Sequence, residues 1–290
     1  MYENLLTKLK NAAKSRKESM ASENGFKSVS EFKSYLEEQI KNSSSIETSK
    51  TKEVEELTDL VIAFDTTGSM GSYIGAVKNH VKDLIPQAFK DNKNLNISVI
   101  AFGDYCDMRS SGEFGKAYQV INLTNDENAL IKFVEKAQNT SGGDGDEFYE
   151  LVIKKIVEET KWRENASKSV LFIGDDGPHP VGYSYPGIIE KAQIDWKKEC
   201  QKAADLNIKI DTLSIHGNSF YNKVAEITGG ICIPFNNSSK TSQLVEATVL
   251  ARGGSSTRSA FYSKSMSSEV TSDKEMNTVY SMYKTIVDKK

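Results

Sequence analysis

From about residue 53 onward the chain alternates short apolar runs with amphipathic stretches. The run DLVIAFD at 59–65 carries no polar alternation inside its two aspartates, which is the pattern of a strand covered on both faces. Residues 71–90 then place apolar side chains at helical spacing. Further buried-strand patterns are NISVIAFG (96–103), SVLFIGD (169–175), IKIDTLSI (208–215) and ICIPF (231–235). Helical patterns fall at 127–137, 147–162, 188–206, 220–228 and 241–252. Parallel strands need crossover connections of this length, so the alternation predicts an α/β fold. It is a Rossmann-like, doubly wound, mainly parallel six-stranded sheet with helices on both faces. KAYQVINLT (116–124) follows its predecessor with no intervening helix, and is expected as an antiparallel edge strand.

The ends of the chain read differently. Leu5, Leu6 and Leu9, then Phe26, Val29, Phe32 and Leu36, recur at helical spacing, and Ser28 with Glu31 forms a capping-box pattern. Residues 42–52 offer only Ile46 for burial and read as a linker. After Gly253 the sequence turns Ser-rich and closes on a helix with Met276, Val279, Tyr283 and Ile286 on one face. The expected organisation is a helical extension and linker at 1–52, a main domain at 53–252, and a Ser-rich segment with a terminal helix at 253–290.

Composition narrows the function classes. Of 290 residues, 38% are hydrophobic and 27% charged, enough apolar material to bury a core. Thirty-seven basic residues against 40 acidic ones leave a net charge of −3, so no overall cationic field draws the chain to nucleic acid or to an anionic membrane. No stretch approaches the roughly 20 apolar residues that cross a bilayer, and the first residues carry charges throughout without a secretion-type apolar core. Cys106, Cys200 and Cys232 are odd in number and show no CxxC spacing. Reduced thiols and a cytoplasmic location are therefore expected.

In an open parallel sheet the functional crevice lies beyond the carboxyl ends of the strands. After the first strand, Asp65, Thr67 and Ser69 put a carboxylate and two hydroxyls at every second position of one tight turn. A glycine-containing loop runs from Thr140 through Gly142, Gly143 and Asp144 to Glu147. After VLFIG come Asp175 and Asp176. Each has an ordinary explanation as a cap or a turn. Three oxygen-rich loops converging at one sheet end form the donor set of a hard divalent cation. Asp104 and Asp107 also follow a strand; they read as a solvated turn, with a second acidic spot as the alternative. Asp146 reads as a helix N-cap with Glu147 in the first turn.

The Asp65-x-Thr67-x-Ser69 motif after a buried strand, the glycine-containing loop and Asp175 resemble the metal-ion-dependent adhesion site (MIDAS) of von Willebrand factor type A (VWA) domains. The resemblance covers roughly residues 57–252. The Gly-Gly-Asp form and the run from Phe102 to Asp107 are similar to the intracellular branch of that family, which includes domains joined to α-kinases. The resemblance implies that Thr67 and Ser69 bind a divalent cation directly and that Asp65 and Asp175 act through bound water. The middle-loop role falls on Asp144, where the family usually has threonine; Thr140 and, in a shifted register, Asp146 are the alternatives. The metal set is then Asp65, Thr67, Ser69, Asp144 and Asp175, with Mg²⁺ expected and Mn²⁺ or Ca²⁺ as alternatives.

Three functions stand side by side. The first is a non-enzymatic binding module whose cation receives an acidic side chain of a protein partner. The second is a haloacid-dehalogenase-like phosphatase with Asp65 as nucleophile, although Thr67 then stands where that chemistry needs a second carboxylate. The third is a scaffold with a degenerate, metal-free site.

Overall fold

A computed structural model describes residues 56–109, 113–143, 145–185, 193–215, 217–235, 240–253 and 255–288, with Ser28, Ser30 and Glu31. The chain divides into two compact units, 1–55 and 56–290. In the first, the Glu31 amide donates to Ser28 Oγ at 3.1 Å, as a cap requires. The leucine and phenylalanine patterns expected there lie outside the described residues.

In the second unit the apolar runs are strands and the amphipathic runs are helices. The sheet strands are β1 (Thr58–Asp65), β2 (Leu95–Phe102), β3 (Tyr118–Thr124), β5 (Ser167–Gly174), β7 (Ile208–Ile215) and β8 (Cys232–Phe235). Two short strands, β4 (Asp146–Glu147) and β6 (Gly177–Pro178), pair separately. The helices are α1 (Gly71–Asp91), α2 (Glu127–Lys136), α3 (Tyr149–Glu159), α4 (Trp196–Asp205), α5 (Ser219–Thr228), α6 (Thr241–Arg252), α7 (Ser255–Ser265), α8 (Ser268–Thr271) and α9 (Lys274–Val287). The sheet order is β3-β2-β1-β5-β7-β8, with β3 antiparallel to β2 and every other pairing parallel. The six-stranded, mainly parallel sheet with an antiparallel edge is the fold that the hydrophobic pattern predicts.

All eight residues of β1 are buried, and the period-2 geometry of a strand divides its apolar side chains between two cores. Leu60, Ile62 and Phe64 pack with Val77 and Val81 of α1, Leu130 of α2 and Leu244 of α6. Val61 and Ala63 pack on the opposite face with Val152 and Ile156 of α3, Ala203 of α4 and Val224 of α5. Parallel register then aligns Asp65 with Phe102 and Phe64 with Ile173. The loops after β1, β2 and β5 consequently leave the sheet side by side.

Within the Ser-rich stretch after residue 253, Ser255–Ser265 form helix α7. Phe261, Met276, Val279, Tyr280 and Tyr283 are buried in the same core as Leu60 and Ile62. Tyr283 Oη lies 2.7 Å from Thr248 Oγ1 on α6. Arg252, at the end of α6, forms a buried ion pair with Asp211 of β7, whose Oδ1 also accepts from the Ile231 amide at 2.7 Å.

Candidate metal centre

Asp65 ends β1 with no solvent exposure. Its Oδ1 accepts from the Thr67 amide and from Thr67 Oγ1, both at 2.7 Å. An Asp carboxylate hydrogen-bonded to the backbone two residues on closes a tight turn, which is how this motif folds back over the strand end. Tyr149, the first residue of α3, donates its hydroxyl to Asp65 Oδ2. The Thr67 and Ser69 hydroxyls are 3.2 Å apart, and Ser69 Oγ donates to Asp175 Oδ1 at 3.3 Å. Asp65, Thr67, Ser69 and Asp175 therefore meet in one cluster, while Asp144 lies outside the described residues.

Thr140 faces elsewhere. Its amide donates to the Thr66 carbonyl at 2.9 Å, and its Oγ1 is 3.0 Å from Thr66 Oγ1. Thr66 Oγ1 in turn donates to the Phe102 carbonyl at 2.7 Å. A Cβ placed on Gly103 would meet Thr140 Oγ1 at 2.4 Å, so Thr140 fills the space that this glycine leaves. It is a strut between the loops after β1 and β2.

The expected solvated turn at Asp104 and Asp107 is a buried clamp. Asp107 Oδ1 accepts from the Ser141 amide at 2.9 Å and its Oδ2 from the Gly142 amide at 3.1 Å. Asp104 is fully buried and its Oδ1 lies 2.6 Å from His179 Nε2. The His179 amide donates to Glu150 Oε2 at 3.1 Å, and Tyr105 Oη donates to Glu150 Oε1 at 2.9 Å. These contacts tie the loop after β2 to the glycine-containing loop and to the Asp175 loop. Their position after a strand was visible in the sequence; their partners were not.

Asp146 is not the expected N-cap, because α3 starts three residues later and β4 intervenes. That strand pairs with β6, setting Asp146 beside Gly177 and Glu147 beside Pro178. Glu147 is 2% exposed and its Oε2 has no hydrogen-bond partner. Sequence reading gave neither Glu147 nor Tyr149 a place in the site, since both look like ordinary first-turn helix residues.

The electrostatics are those of an anionic pocket. Burial, then the charge of Asp175, pushes Asp65 up to about 7, against the hydrogen bonds that favour its ionised form. Burial and the charges of Asp65, Asp104, Asp176 and Asp107 push Glu147 up to about 10. Asp65 takes its hydrogen bonds from neutral donors alone. Among the described residues no three His, Cys, Asp or Glu side chains stand together closely enough to hold an ion by themselves, so a site here needs the two hydroxyls. An all-oxygen set of carboxylates and hydroxyls suits Mg²⁺, Mn²⁺ or Ca²⁺ and suits soft metals poorly.

A family model described as the von Willebrand factor type A domain matches residues 59–248. Over 184 residues the chain is 23% identical to a putative ariadne-like RING finger protein of Acanthamoeba polyphaga mimivirus, covering 59% of this chain and 18% of that protein. Over 145 residues it is 28% identical to the alpha-protein kinase vwkA of Dictyostelium discoideum, covering 48% of this chain and 22% of the kinase. The matched segments thus span less than a quarter of either curated relative. Among solved structures, the pilus adhesin SpaC from Lactobacillus rhamnosus GG superposes with a TM-score of 0.51 at 13% identity, covering 70% of this chain and 31% of the adhesin. That likeness is one of fold.

Proposed function

Because the chain belongs to the von Willebrand factor type A family, whose domains are generally protein-interaction modules, we propose that it binds a protein partner through a divalent cation held at the end of β1. The observation that carries this reading is the meeting of Asp65, Thr67, Ser69 and Asp175 within hydrogen-bonding distance of one another. Thr67 and Ser69 would offer their hydroxyl oxygens to the ion, with Asp65 and Asp175 supplying negative charge around it. A bound Mg²⁺ would supply an electrophilic coordination position for an acidic side chain of the partner. The protein's own contribution is to hold these oxygens in place: Tyr149 fixes one oxygen of Asp65, and the Asp107 clamp fixes the adjoining loop.

This reading is of an intracellular, non-enzymatic module. Among the described residues no helix is long and apolar enough to cross a membrane. The three cysteines are free thiols, which suits a reducing compartment. Thr67 is a neutral hydroxyl where the phosphatase alternative needs a second carboxylate, so no Mg²⁺-dependent hydrolysis of aryl phosphates is expected.

The test is a pull-down from cell extract with Mg²⁺ and with EDTA, using wild-type and Asp65→Asn chains. A partner retained by the wild type only in Mg²⁺, and never by the variant, is the expected result. Equal capture under all four conditions would refute a cation-mediated contact.

A further inference from the structure

We propose that Glu147 is the middle-loop acid of this cation site, standing beside Thr67 and adding its carboxylate to the oxygen set in which the Thr67 and Ser69 hydroxyls hold the ion. The inference rests on the site reading given above and names the residue that completes it. Gly142 has a left-handed backbone, with φ 68°. The point where its Cβ would stand is 2.6 Å from Glu147 Oε1 and 3.4 Å from Thr67 Cβ. The missing side chain is therefore what admits the Glu147 carboxylate beside Thr67, the residue whose hydroxyl lies between Asp65 and Ser69. The β4–β6 pairing holds the backbone of Glu147 against Pro178, in the same loop as Asp175. Glu147 is thus fixed by main-chain contacts on one side and shares the space over Gly142 with Thr67 on the other.

Its second oxygen is the independent observation. Glu147 is 2% exposed and Oε2 accepts no hydrogen bond. A buried carboxyl oxygen without a donor is costly and is rare in folded proteins. Structural carboxylates nearby do not share this condition: Asp107 accepts two backbone amides from the glycine-containing loop, and Glu150 is bonded through both oxygens. A cation, bound directly or through one ordered water, supplies the partner that Oε2 lacks. Of the other described oxygen-bearing side chains in that loop, Thr140 Oγ1 is already engaged with Thr66, and Ser141 and Asp146 are exposed.

The experiment compares Mg²⁺ affinity by calorimetry in the wild-type, Asp65→Asn and Glu147→Gln chains, and records the melting temperature of each in EDTA. Glutamine keeps the shape and cannot ionise, so it has no carboxylate to offer the ion. A loss of about 10–100-fold in affinity for Glu147→Gln is expected, with a melting temperature in EDTA equal to or above that of the wild type, because a neutral amide of the same shape replaces a carboxyl whose ionisation the metal-free fold opposes. A merely structural carboxyl would give the opposite pair: unchanged affinity and a lowered melting temperature. If Asp65→Asn loses binding while Glu147→Gln keeps wild-type affinity, the site stands and the assignment to Glu147 is overturned. If the wild type itself binds no Mg²⁺, the site reading falls and takes the assignment with it. Should Glu147→Gln fail to fold, wild-type chain carrying ¹³C-labelled glutamate Cδ gives the same decision. A glutamate Cδ resonance that moves on adding Mg²⁺ supports the assignment, and a spectrum in which none moves overturns it.

Discussion

Gly174 stands at the end of β5 where a Cβ would meet Tyr149 Oη at 2.2 Å and Tyr221 Oη at 2.5 Å. Tyr149 is fully buried and holds Asp65, so the strain of Gly174→Ala falls on the support of the site. Overpacking of this kind is expected to lower stability by about 1–3 kcal/mol and to weaken Mg²⁺ binding together with it, as urea unfolding and calorimetry would read. A variant as stable as the wild type would mean that the tyrosines move aside freely. The carboxyls give a pH signature. In the metal-free fold Asp65 and Glu147 keep protons up to about 7 and about 10, whereas the unfolded chain releases them near pH 4. The folded state binds the more protons, so stability is full below that pH and falls as pH rises through these two values. Each such proton changes stability by up to about 1.4 kcal/mol per pH unit inside its window. Melting temperature in EDTA should decline between about pH 5 and 9, and saturating Mg²⁺ should flatten the decline by stabilising the ionised forms. A metal-free protein that gains stability across that range would contradict the buried-acid picture.

The elements around the site act through main-chain contacts that no side-chain motif announces. Asp107→Ala removes the acceptor of the Ser141 and Gly142 amides, and is expected to cost about 1–3 kcal/mol. Hydrogen exchange at those two amides should accelerate and Mg²⁺ affinity should fall; protection equal to the wild type would show that another group holds the loop. The first strand and its turn were legible because DLVIAFD is uniformly apolar and the Asp65-x-Thr67-x-Ser69 turn keeps its donors within five residues. Asp107 and Ser141 are distant in sequence and meet only because β1 and β2 are parallel and adjacent. The same holds for Asp104 and His179, whose pairing depends on the order β2-β1-β5. β4 was hidden for another reason: two residues are too short to carry an alternation, so Asp146 and Glu147 looked like the start of α3.

At the scale of the whole molecule, residues after 253 complete the core over α1 and α6. Phe261, Tyr280 and Tyr283 are each 2% exposed or less, and a chain ending at Arg252 would uncover the surface they cover. Such a truncation is expected to lack the cooperative thermal transition expected of the full chain, whereas a sharp transition at the same temperature in both would show the terminal helices to be dispensable. The sequence pattern placed Met276, Val279 and Tyr283 on one face of a terminal helix, but what that face covers is set by packing against α6. The strand order brings Asp65, Thr67 and Ser69 after β1 together with Asp175 after β5. The most direct test is calorimetric titration of Mg²⁺ into the EDTA-treated full chain, alongside Asp65→Asn. Saturable binding at one site in the wild type, lost in the variant, is the expected result; no saturable binding in the wild type, or equal affinity in both chains, would contradict a cation site built on Asp65.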